Sequence, residues 1–101
     1  MPISLPNPLV WLLDYRLAAY SLQIVLCGGA FVLREFPYKE MLFVKEGYEP
    51  WNEHYENRLD LWESAVSIRL DRAMLPWLVV TPAEPKAFVA QLSERIVAAR
   101  R

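Results

Sequence analysis

His54 is the side chain best suited to acid–base or metal chemistry, and it is the only histidine among the 101 residues. Glu53, Glu56 and Asp60 are its acidic neighbours in sequence. On a helix, His54 and Glu56 would diverge, because positions i and i+2 do not share a face. A metal would need further ligands from distant parts of the chain. A general base needs a proton donor within hydrogen-bond reach, and no nucleophile stands beside His54 in sequence. The pairs Glu53/Glu56 and Asp60/Glu63 could in principle share acid–base work, but they lie in a polar run and are expected to stay solvated. Gly28-Gly29 is followed by neither a GxGxxG pattern nor Lys-Ser/Thr, so it is no phosphate loop. Cys27 is the sole cysteine, which rules out an internal disulfide, and its apolar neighbours Ile24-Val25-Leu26 predict a small buried hydrophobe. These residues offer no catalytic, cofactor or metal constellation, and a non-enzymatic role is expected.

The elements that must position these groups follow from periodicity. Trp11, Leu13, Tyr15 and Leu17 alternate with Asp14 and Arg16, which predicts a half-buried strand over 10–19. Ser21–Cys27 reads as a second strand with Leu22, Ile24 and Leu26 on one face. The Gly28-Gly29 pair then marks a hairpin, because both turn positions can take φ > 0. Ala30–Phe36 is a third strand, ended or placed at an edge by Pro37, which cannot donate to a ladder. Tyr38–Val44 suggests one helical turn leading into a short strand. In Ser64–Arg72, Val66, Ile68 and Leu70 face in while Ser67, Arg69 and Asp71 face out. Met74–Val80 is apolar on both faces except near Pro76, which predicts a central or covered strand.

From residue 86 the period changes. Phe88, Leu92, Ile96 and Ala99 recur every three or four positions, with Gln91, Glu94 and Arg95 turned away, as on an amphipathic helix. Thr81-Pro82 is expected to turn the chain and Pro85 to open the helix. Arg95, Arg100 and Arg101 suit the negative end of the helix dipole, or a weak contact with an anionic membrane surface. The fold class expected is α+β, mainly β: a strongly bent antiparallel sheet or open barrel capped by one C-terminal helix.

Composition narrows the function classes. Hydrophobic residues make up 54% of the chain, which argues for a packed core. The net charge is −1, without the basic excess that tracks a nucleic-acid backbone. Residues 1–8 have no positive charge and contain Pro2, Pro6 and Pro8, so they read as an extended arm and not a secretory signal. The cytoplasm is the expected compartment. Leu17–Leu33 carries no charge and would reach the lower limit of a membrane span, but the hairpin accounts for its glycines and the span does not.

Residues 45–63 carry six of the twelve acids together with Tyr48, Trp51, Tyr55 and Trp62. Exposed aromatics among charges resemble interface hot spots, so Tyr48, Trp51, His54, Tyr55 and Trp62 are the candidate partner-binding residues. The alternative is a surface segment whose aromatics fold back on the domain. The acids disfavour anionic lipid and suit a basic protein partner.

Leu78-Val79-Val80-Thr81-Pro82-Ala83-Glu84-Pro85-Lys86-Ala87-Phe88-Val89-Ala90-Gln91-Leu92 resembles the last strand, turn and closing helix of the bacterial pleckstrin-homology-like domains. Leu22-Gln23-Ile24-Val25, Phe36-Pro37-Tyr38 and Ser67-Ile68-Arg69-Leu70 are similar to earlier strands of that family. The resemblance spans Arg16 to Arg95, leaving 45–63 as an insertion and 9–101 as a single domain. It implies an open barrel plugged by the helix, no chemistry, and a binding or assembly role with a protein partner or a second copy. Two further readings stand beside it: a membrane-associated protein, and a carrier of small apolar ligands with a cavity between Trp11, Phe31, Trp77 and Phe88.

Overall fold

Period-two alternation builds the first sheet. The computed structural model describes residues 13–49, 53–56 and 61–101, with the side chains of Leu61 and Trp62 outside that description. β1 (Leu13–Leu17) pairs antiparallel with β2 (Ser21–Leu26), setting Tyr15 opposite Ile24 and Leu17 opposite Leu22. β3 (Phe31–Pro37) pairs with the other edge of β2, with Leu22 opposite Phe36 and Ile24 opposite Arg34. Leu13, Leu22, Ile24 and Phe36 are buried on the inner face.

The β2–β3 connection is a short 3₁₀ turn, Cys27–Gly29, and all three residues have positive φ: 54°, 68° and 96°. Glycine takes that conformation freely and other residues do not, which is why the pair stands here. Cys27 begins this turn and does not end the strand, so it is exposed and not the buried hydrophobe expected. The same turn divides the Leu17–Leu33 stretch between two strands. Among the described residues no helix is long and apolar enough to cross a membrane.

Pro37 closes β3, and a 3₁₀ turn (Tyr38–Glu40) leads into β4 (Met41–Glu46). The second sheet adds β5 (Glu53–Tyr55), β6 (Val66–Leu70) and β7 (Trp77–Val80) in the order β4-β6-β7-β5. β4, β6 and β7 are antiparallel, but β5 runs parallel to β7, with His54 opposite Val79. The expected all-antiparallel sheet is therefore corrected at this edge, and part of the 45–63 insertion is a strand of the sheet. β7 occupies the central position expected of it, although it begins at Trp77. Residues 71–76 form a turn in which Met74 is exposed and Leu75 has a φ of 47°.

Alternation sorts the second sheet into two faces. Val66, Ile68, Leu78, Val80 and Tyr55 face the first sheet and join one core with Leu22, Ile24 and Phe36. Ser67, Val79 and His54 form a row on the opposite face and are nevertheless fully buried. Ser67 Oγ donates to the Gly47 carbonyl at 2.7 Å, so the chain leaving β4 folds over this row. Ser67 points to the outer face as expected, but it is covered.

A single helical turn, α1 (Leu61–Ser64), precedes β6. The long helix α2 (Pro85–Ala99) opens on Pro85 at its first turn, where a missing N–H costs nothing. Phe88, Leu92 and Ile96 are buried, while Ala99, expected on the same face, is exposed in the last turn. Arg95 Nη1 donates to the Ala18 carbonyl at 2.8 Å, and Arg100 Nη1 donates to the Lys39 and Met41 carbonyls at 3.0 and 3.2 Å. Two of the three arginines thus pin the helix end to the sheets. The result is mainly β: two bent sheets that do not close into a barrel, capped by a C-terminal helix.

Candidate interaction surfaces

Strand alternation in β5 decides the fate of the chemically promising segment. Glu53 and Tyr55 turn inward and His54 outward. The Glu53 side chain is buried between the sheets, where Arg34 Nη1 of β3 lies at 2.7 Å and Arg72 Nη2 at 2.9 Å. Tyr55 OH donates to Glu53 Oε2 at 2.7 Å and accepts from Arg34 Nη1 at 3.2 Å. The Arg34 guanidinium also lies 4.9 Å from the centre of the Phe36 ring. Burial, with the bond to Glu53 and its negative charge, pushes the Tyr55 phenol up to about 12. Glu53 was expected to be solvated, and this is corrected. Pairing of β5 with β7 carries it under the first sheet, and a carboxylate there requires cationic partners. With both oxygens committed to donors, it serves as a tie between sheets.

His54 is likewise buried. Nδ1 lies 2.5 Å from Glu56 Oε1, Nε2 lies 2.9 Å from the Glu49 carbonyl oxygen, and the ring meets Tyr48 edge-on with centroids 5.0 Å apart. The divergence of i and i+2 holds for a helix; here the segment is a strand, so His54 and Glu56 share a face. Among the described residues no three His, Cys, Asp or Glu side chains converge on a metal-sized site. Of the five candidate anchors, His54 and Tyr55 are buried in the protein's own packing and Tyr48 is half-buried against His54. Trp51 lies outside the described residues, as does the side chain of Trp62. The described part of 45–56 folds back on the sheet, because its edge pairing and its polar contacts are satisfied there.

A second apolar surface lies on β3, the strand that Pro37 is expected to end or to place at an edge. Phe31, Val32 and Leu33 are 64%, 49% and 37% exposed, so both faces of this stretch meet solvent. Among the described residues β3 is an outer strand of its sheet, as β1 is on the other side. A register shift opposite Ile24 and Val25 interrupts its ladder at these residues. The signal was present in Ala30–Phe36, where three apolar residues run together without alternation. The apolar cavity expected between Trp11, Phe31, Trp77 and Phe88 does not assemble from the described members. Phe31 is exposed, Trp77 packs on Phe43 on the outer face of the second sheet, and Phe88 lies in the core. Trp11 is outside the described residues.

A concavity of about 1040 Å³ instead lies between the 18–21 bend, the end of β3 and the last turns of α2. Arg95 reaches across its floor to the Ala18 carbonyl, beside the Tyr38 ring. Tyr38 OH donates to the same carbonyl at 2.6 Å. No family model, curated protein or solved structure matches the chain.

Proposed function

We propose that this chain is a non-enzymatic interaction or assembly module that engages a protein partner, or a second copy of itself, through Phe31, Val32 and Leu33. The observation that carries the reading is the run of three exposed apolar side chains on an outer strand. Contiguous exposed apolar surface on an edge is an aggregation hazard unless a partner covers it. The bulge at this point and the charges Arg34 and Glu35 after it oppose continuous strand addition. The partner therefore docks on side chains and does not extend the ladder. Two sheets closed by a C-terminal helix suit the pleckstrin-homology-like resemblance and its binding role, although the parallel β5 departs from an antiparallel barrel. A lone exposed thiol suits a reducing compartment such as the cytoplasm.

Phe31→Asp tests this reading. The side chain is mostly in solvent, so the folded state should survive with little change in urea midpoint. Binding should weaken by roughly 30-fold, the equivalent of about 2 kcal/mol for a central interface residue. Sedimentation over a wide concentration range reads self-association, and the affinity of a purified co-isolated partner reads the alternative. Identical sedimentation and identical partner affinity for wild type and Phe31→Asp would sink the proposal.

A further inference from the structure

We infer that the groove beside the C-terminal half of α2 receives an extended segment of a partner protein carrying one carboxylate, which Arg95 binds. The groove measures about 1040 Å³ and is open to solvent. Ala18, Ala19, Pro37, Ala98 and Ala99 make its walls low and largely apolar, and Tyr20, 86% exposed, stands at its rim. A small molecule lying in so open a trough would leave much of its surface in water, whereas tightly bound small ligands bury roughly 70–90% of theirs. An extended chain crossing the trough places side chains on both walls and does not need enclosure.

The polar groups select the chemistry. Arg95 is half-buried, gives one Nη1 proton to the Ala18 carbonyl, and makes no ion pair with any described residue. A guanidinium has five donors in a planar fork that matches a carboxylate, so several remain for a ligand. Lys39 lines the same groove and adds positive charge. Glu35 and Glu94 also line it. Glu35 is engaged by Gln23 Nε2 at 2.7 Å, and the hydrogen bonds from Gln23 and Ser21 hold its carboxyl below the usual range, so it stays charged. Two acids at the walls repel a run of acids in the partner. They favour a single carboxylate set among apolar or small side chains.

This inference shares the protein-partner class with the proposed function but not its surface. Phe31→Asp leaves the groove intact, and substitutions at the groove leave β3 intact, so the two fail separately.

The test uses soluble octapeptides, acetylated and amidated so that no terminal carboxylate competes. Their central position is Asp, Glu, Asn or Gln, and the others are drawn from Ala, Leu, Val, Tyr, Ser and Lys. Acidic peptides should bind about tenfold more tightly than their amide counterparts, the effect of one charge-assisted bidentate contact. The amides of Ala18–Ser21 and Ala98–Ala99 should shift in NMR spectra of the labelled protein. Arg95→Gln should erase the preference for acid over amide. Ala98→Glu, at an exposed helix position that tolerates the change, should weaken acidic peptides without unfolding the protein. Equal binding of acid and amide, unchanged binding by Ala98→Glu, shifts confined to Phe31–Leu33, or no binding at all would each overturn the inference. Dodecanoate moving the groove amides at lower concentration than any peptide would also overturn it, in favour of a small-ligand site.

Discussion

Glu53→Ala is expected to destabilise the protein by about 3 kcal/mol, against a total stability of roughly 5–15 kcal/mol for a domain of this size. The carboxylate is buried at 4% side-chain exposure, while Arg34 and Arg72 keep 43% and 35%. That asymmetry sets the size of the effect. Removing the acid strips a bridge between β3 and β5, but both arginines can turn to water, so the loss falls at the low end for a broken buried pair. Arg34→Ala should cost less than Glu53→Ala, because Arg72 and the Tyr55 hydroxyl still face the acid. A double-mutant cycle across Arg34 and Glu53 should give a coupling of about 1–2 kcal/mol, as for groups in one network. Urea unfolding of the three variants measures it. If Glu53→Ala unfolds at the wild-type midpoint, the sheets are held together by the apolar core alone.

The sequence reached the strands by the same route that made it miss this bridge. β1, β2 and β6 are legible because one face of each is apolar and the other mostly polar, β3 because an apolar run follows the Gly28-Gly29 turn signal, and α2 because Phe88, Leu92 and Ile96 repeat at four. β5 carries no such pattern: Glu53-His54-Tyr55 has charged, polar and aromatic residues in three positions and reads as a loop. Its strand identity comes from pairing with β7, a contact between residues more than twenty apart in sequence. Once β5 is a strand, Glu53 must face Arg34 and His54 must face Glu56, but neither partnership can be read from local spacing. Cys27 shows the converse error. Its apolar neighbours indicated burial, and the turn demanded by Gly28-Gly29 reached one residue further back than the glycines themselves. The β3 patch was visible as unbroken apolar residues; Pro37 left open whether it ends the strand or marks an edge, and the strand order places β3 at an edge.

Tyr15→Phe should cost about 2–3 kcal/mol and should flatten the fall in stability at high pH. The Tyr15 hydroxyl joins the first sheet to the second at two points: it accepts from the Thr81 backbone N–H at 3.0 Å and donates to the Tyr55 carbonyl. Thr81 is fully buried, and its Oγ1 lies 3.3 Å from the same oxygen. Phenylalanine fits the space but removes the two hydrogen bonds that this hydroxyl makes, at about 1–1.5 kcal/mol net for each bond lost. Burial pushes the Tyr15 phenol up to about 12, offset in part by its bonds to Thr81. In the unfolded chain the same phenol loses its proton near pH 10. The raised folded value therefore contributes stability that is complete below about pH 10 and is lost as the pH climbs towards 12. Over that interval Tyr15 alone should steepen the decline by up to about 1.4 kcal/mol per pH unit. Tyr55 adds to the decline in the same direction. Tyr15→Phe starts lower but should lose stability more slowly through this range, so the urea midpoints of the two proteins converge. Parallel curves would mean that the Tyr15 hydroxyl ionises in the folded protein as readily as in water, which its place between Thr81 and the Tyr55 carbonyl does not permit.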